Sequence, residues 1–150
     1  GKIEVKSDGT PWRPVVHVRD ACSAFIAGLE APGDLVSGRS YNVGIPNGNY
    51  SVRDLAEGAA RVVPGSVITY TGEHGSDART YRVSFARILG ELRDWYRPEW
   101  DLDRGGAELV ELFGNVGFTA EQFRGRVTNR LGQLTHLMKT GRLDSELRWP

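Results

Sequence analysis

Residues 40–71 read SYNVGIPNGNYSVRDLAEGAARVVPGSVITYT, and the order of elements in them decides the fold class. SYNVG, residues 40–44, is a short apolar run bounded by glycines and reads as a strand. Ser51 and Asp54 stand at the spacing of a capping box, with the shorter Asp where Glu is usual. Behind that start, Val52, Leu55, Ala56, Ala59, Ala60 and Val63 return to one helical face, and Pro64-Gly65 stops the helix. SVITYT, residues 66–71, is rich in β-branched residues and reads as a strand again. A strand, a capped helix and a second strand in that order indicate a mixed α/β fold.

Upstream, residues 2–5 alternate as a short strand and Ser7-Asp8-Gly9 marks a turn. RPVVHV, residues 13–18, predicts a second strand, and Asp20 is placed to cap the helix that follows. In that helix Ala21, Cys22, Phe25, Ile26 and Leu29 recur at helical spacing, until Pro32-Gly33 ends the run. Downstream, a helix is expected from about Ser84 to Leu92. Leu109, Val110, Leu112 and Phe113 form an apolar run inside a charged helix. Thr119 with Gln122 makes a capping pair, and Val127, Leu131, Leu134 and Met138 form an amphipathic stripe that ends at Gly141.

The 150 residues suffice for a domain with a sizeable core. Nineteen basic residues balance nineteen acidic ones, which argues against a nucleic-acid binder. No apolar run reaches the length of a membrane span. Cys22 is the only cysteine, so an internal disulfide and a multi-cysteine metal site are excluded; it reads as a buried, inert thiol. These features fit the cytoplasm. The opening GKIEV, already strand-like and without an initiator Met, reads either as a processed terminus or as the cut edge of a longer protein.

The segment HGSDARTYRVSF, residues 74–85, concentrates Asp77, Arg79 and Arg82 among Tyr81, Val83 and Phe85. No G-x-G-x-x-G or Walker A loop occurs in the chain, and no tyrosine is followed four positions later by a lysine. His17, His74 and His136 lack metal-ligand spacing; His17 reads as a structural imidazole in a strand and His136 as a surface residue. No catalytic and no metal site is therefore expected. What remains is anion chemistry. Arg13 and Arg79, on separate segments, carry guanidinium forks that suit a diphosphate, and Asp77 can orient Arg79 or accept a ligand hydroxyl. Taken singly, each is more often a solvated surface charge.

Three segments in order carry a family resemblance. DGTPWRPVVHVRDACSAFIAGLEAP resembles the G-D-G-x-x-x-R-D-[FY]-[IV]-x-V-x-D strand and helix of the extended short-chain dehydrogenase/reductase family, the NAD(P)-dependent epimerases and dehydratases of nucleotide sugars. YNVG followed by YSVRDLAEGAARVVPG is similar to the next strand and helix of that family, and GSDARTYRVSFARILGEL to its G-x-D-x-R-x-Y-x-x-[DS]-x-x-[KR]-I signature. Pro14 departs from the acidic residue usual after the arginine, and ELRDWYRPEW from a shorter L-G-[FW]-x-P.

The resemblance implies the C-terminal, substrate-binding part of a Rossmann-type fold over residues 1–114, followed by a helical extension over 115–150. Residues from about 40 to 63 would complete the edge of a Rossmann sheet not contained in this chain, which leaves an apolar patch around Tyr41, Val43 and the Val52–Leu55–Ala59 face. It further implies that Arg13 contacts a substrate diphosphate, that Asp77 and Arg79 hold ribose and diphosphate, and that Asn47 and Asn49, after YNVG, approach the nucleotide. The partner implied is a nucleoside-diphosphate sugar. The cofactor is NAD or NADP in a full-length, possible homodimeric enzyme of carbohydrate metabolism, an oxidoreductase or isomerase, with its cofactor loop and Tyr-x-x-x-Lys pair outside this chain. Arg82 is expected to be solvated. The other reading is a non-catalytic interaction module whose C-terminal helices dock a partner.

Overall fold

The computed structural model describes residues 1–73 and 79–149 and divides into two units, Gly1–Glu108 and Leu109–Pro150. Its elements are β1 (Lys2–Val5), β2 (Trp12–Pro14), α1 (Val18–Glu30), α2 (Gly33–Val36), β3 (Asn49–Ser51), α3 (Val52–Val62), β4 (Val67–Tyr70), α4 (Ala86–Glu91), α5 (Leu102–Asn115), α6 (Ala120–Arg124) and α7 (Arg130–Lys139). The mixed α/β class is as expected. β1 pairs in parallel with β4, Lys2 facing Val67 and Val5 facing Tyr70. β2 pairs antiparallel with β3, Arg13 facing Tyr50 and Pro14 facing Asn49.

α3 follows its sequence signals closely. The Ser51 hydroxyl accepts from the Asp54 N–H at 3.1 Å, and Asp54 accepts from the Ser51 N–H at 2.7 Å. The Ser51 hydroxyl, 2.7 Å from Asp54 Oδ2, and then the Ser51 N–H hold the Asp54 carboxyl below its ordinary range. Gly58 lets α5 approach, since a Cβ there would meet the Leu102 side chain at 2.6 Å.

Several expectations need correction. The strand predicted over 13–18 is only Trp12–Pro14, because α1 already begins at Val18. The cap of α1 is His17, not Asp20: the His17 Nδ1 accepts from the Arg19 N–H at 3.3 Å. Asp20 lies in the first turn, 3% exposed, and its two oxygens accept from the N–H groups of Glu99 and Trp100, each at 3.0 Å. A carboxylate so engaged cannot also turn back to cap its own helix. SYNVG forms no strand, since among the described residues nothing pairs with it in a ladder. Instead the Asn42 amide donates to the Ser84 carbonyl at 3.3 Å, and the Tyr96 hydroxyl to that of Gly44 at 3.1 Å.

The core of the first unit joins Ala24, Ala27 and Ala31 of the α1 side to Phe85, Ile88, Leu92 and Tyr96. Small residues on α1 admit bulky ones opposite, as close packing requires. ELRDWYRPEW, the departure noted above, supplies Leu92 and Tyr96 to this core. Burial, with Asp20 as a lesser cause, pushes the Tyr96 hydroxyl up to about 12. Tyr41 and Val43 are half-buried against the same core and Val52 and Leu55 are half-buried too, so the patch expected there is largely covered; only Ala59 is exposed. The exposed apolar face belongs to α1, where Phe25 is 76% and Leu29 87% exposed beside Val18 and Ile26. Cys22 lies on this side and is exposed, not buried.

Beside the core, the Tyr41 hydroxyl donates to Glu91 Oε2 at 2.7 Å, with Arg87 and Arg39 in ion-pair reach of the same carboxylate. The Tyr41 bond first, then the arginines, holds the Glu91 carboxyl below its ordinary value. A depressed folded-state value stabilises above the unfolded value and is lost as pH falls through the folded one. Tyr41→Phe is expected to move the Glu91 titration midpoint upward, followed by NMR of the carboxyl carbon; an unmoved midpoint would contradict the assigned cause.

In the second unit the Thr119–Gln122 capping box forms as read, with bonds of 2.8 and 3.2 Å. The ring of Phe118 lies 5.0 Å from that of Phe113 and 6.5 Å from that of Phe123. The Val127–Met138 stripe is only partly helical: Val127 precedes α7, and Val127, Leu131 and Met138 are exposed.

Candidate anion-binding site

The β2–β3 pair brings the residues of interest together. Arg13 Nη1 donates to the Trp12 carbonyl at 2.8 Å and to the Arg79 carbonyl, 66 residues away in sequence. The Trp12 N–H donates to the Thr80 hydroxyl at 3.0 Å. The Arg13 guanidinium also faces the Tyr81 ring, 6.0 Å from its centroid. Three consecutive residues, 79 to 81, thus lie against β2.

Two residues past Tyr81, at Val83, Asn49 of β3 holds the same segment. Its Nδ2 donates to the Val83 carbonyl at 2.9 Å, and its Oδ1 accepts from the Val83 N–H at 2.8 Å. Arg82 is exposed, but its guanidinium stacks over the Trp12 ring at 3.4 Å, which corrects the expectation that it is merely solvated. The alternation Tyr81–Val83–Phe85 makes no ladder, and α4 starts at Ala86 behind a Phe85 cap rather than at Ser84. Arg79 is exposed, and Asn47 is exposed in a turn with a φ of 57°. Asp77 lies outside the described residues, as does His74.

Sequence reading brought Arg13, Arg79 and Asn49 into one hypothesis and missed Trp12, Thr80 and the bonding of the Asn49 amide to Val83. Nothing local signals such pairing, because each partner is tens of residues distant.

A concavity of about 300 Å³ lies elsewhere in the first unit, lined by Tyr50, Asp54, Glu57, Arg61, Asp101, Leu102 and Asp103. Arg61 is taken up by Asp103, with its Nη2 2.6 Å from Oδ1. Burial, then the charge of Asp101, raises the Tyr50 hydroxyl. Four carboxylates against one committed guanidinium make this concavity unfavourable to an anion.

His17 is a satisfied structural imidazole, as expected, though not in a strand. Its ring stacks on Trp100 at 4.3 Å, and its Nε2 stands 2.8 Å from Glu108. Among the described residues no group of His, Cys, Asp and Glu could hold a metal ion, and no helix is long and apolar enough to cross a membrane.

The fold is mixed α/β, and at the candidate site the Arg13 guanidinium meets the main chain of Arg79. Residues 1–44, which include Arg13, match the model of the NAD dependent epimerase/dehydratase family. Solved structures similar to the chain include the PbgP3 protein from Burkholderia pseudomallei, with a TM-score of 0.57, 23% identity and coverage of 77% of this chain and 35% of that one. Another is the UDP-glucuronic acid 4-epimerase from Bacillus cereus in complex with UDP-glucuronic acid and NAD, at 0.60, 16%, 75% and 35%. A third is the GalE-like L-threonine dehydrogenase from Cupriavidus necator in its apo form, at 0.56, 20%, 74% and 40%. The chain spans only 35–40% of the length of these structures. The fold matches parts of Rossmann-type epimerases, and the resemblance read from the motifs is borne out.

Proposed function

We propose that this chain is the nucleotide-sugar-binding portion of an NAD(P)-dependent epimerase or dehydratase, acting in the cytoplasm on a nucleoside-diphosphate sugar. Arg13 and Arg79 hold the diphosphate, Asp77 the ribose, and Asn47 and Asn49 flank the nucleotide. The observation that carries this reading is the bond from the Arg13 guanidinium to the Arg79 main chain, which brings two arginine-bearing segments together. The family match over residues 1–44 and the Bacillus cereus epimerase's complex with UDP-glucuronic acid and NAD support it.

The residues present do not make a dinucleotide cradle, since no glycine-rich loop occurs among them. In this reading NAD or NADP, which takes and returns a hydride, and the Tyr-x-x-x-Lys pair belong to another part of the protein, and the whole is a homodimer, tested by light scattering. The substrate-binding portion runs over 1–114 and the helical extension over 115–150, with residues 40–63 at the edge of the Rossmann sheet.

Calorimetric titration of the protein that carries this chain tests the reading. UDP-glucuronic acid and UDP are expected to bind, and UMP, lacking the second phosphate, to bind about tenfold or more weakly. Equal affinity for UDP and UMP would contradict a diphosphate clamp. The alternative, a docking module, rests on the exposed Leu109, Leu112, Phe113 and Phe123 of the second unit, and predicts binding of neither nucleotide.

A further inference from the structure

We propose that Asn49 is a positioning residue of the anion site, acting through the main chain of Val83 to fix where Arg79 stands. The proposal rests on the site reading above and gives Asn49 a more specific task than flanking the ligand. Its side chain makes both an acceptor and a donor bond to one residue, at 2.8 and 2.9 Å and part-buried. That double exchange is what two facing residues make in an antiparallel ladder. The segment from Arg79 to Phe85 has no ladder of its own among the described residues, so the amide stands in for a missing strand.

The substitution chemistry is restrictive. Aspartate of the same length accepts from the Val83 N–H but, ionised, cannot donate to its carbonyl; alanine does neither. Asn49 itself is fixed in β3 opposite Pro14, one residue from Arg13. The near end of the segment is held by the exposed bonds to Thr80 and Arg79. The Asn49 bonds are the part-buried attachment at the far end. Arg79 is itself the near attachment, and Val83 follows four residues later, roughly 13 Å away when extended. A guanidinium fork matches a diphosphate only in a fixed orientation, so releasing the far end costs affinity even though Asn49 need not touch the ligand.

The test is a double-mutant cycle on the protein that carries this chain, with UDP as the probe and calorimetry as the readout. Asn49→Ala and Asn49→Asp are each expected to weaken UDP binding about fivefold or more, the worth of one lost hydrogen-bonded contact. In an Arg79→Ala background the same substitutions are expected to change affinity less than about twofold, because what Asn49 positions is gone. Amide hydrogen exchange at Val83 accompanies the cycle, and protection there is expected to fall in both Asn49 variants. UDP binding with losses that add across the cycle, or with no loss in either Asn49 variant, overturns the inference alone. Failure of the unsubstituted protein to bind UDP overturns the site reading and the inference with it.

Discussion

Replacing Arg13 by alanine is expected to raise the dissociation constant for a UDP-sugar tenfold or more. Arg13 is set on β2, opposite Tyr50 in the ladder, and its Nη1 bonds draw in the carbonyls of Trp12 and Arg79. A charge-assisted bond to phosphate contributes roughly 1.5–3 kcal/mol, and 1.4 kcal/mol is tenfold in affinity. Arg13→Lys keeps the charge and loses the fork, so its affinity should fall between the two. Because the same side chain ties the 79–81 segment to β2, the thermal midpoint of each variant must be measured beside its affinity. A folded Arg13→Ala protein with an unchanged dissociation constant would remove Arg13 from the site.

The largest loss of stability is expected from Asp20→Ala. The carboxylate is 3% exposed and accepts from two consecutive main-chain N–H groups about eighty positions away, tying α1 to the segment that precedes α5. Alanine would remove two charge-assisted bonds and leave both N–H groups unsatisfied. The expected cost is about 2–4 kcal/mol, seen as a lower urea midpoint with little change in slope. Asp20→Asn retains acceptor capacity and should lose less. A loss within the roughly 0.5 kcal/mol of an ordinary surface substitution would contradict this role.

Asp20 also illustrates what the sequence hides. An Asp before an apolar helical run is a good cap, and local pattern cannot reveal that Glu99 and Trp100 claim both of its oxygens. Where a signal is local, it was legible: the Ser51–Asp54 and Thr119–Gln122 boxes form as read, and SVITYT contains the strand that pairs with β1. Periodicity identified α1 but not its partner. The face that packs is the small one, Ala24 and Ala27, while Phe25, Ile26 and Leu29 stay exposed. SYNVG carries strand composition, yet a strand exists only through its neighbours, and none is described here. At the site, the family motifs pointed to Arg13 and Arg79, which the fold does bring close. The Asn49 amide on Val83 depends on tertiary register and had no sequence signature.

The central claim is that this chain holds a nucleotide diphosphate between Arg13 and Arg79. The most direct measurement is a crystal structure of the protein that carries it, in complex with a UDP-sugar. The account predicts diphosphate oxygens within hydrogen-bond distance of both guanidinium groups. A bound nucleotide whose diphosphate lies away from both arginines would contradict it.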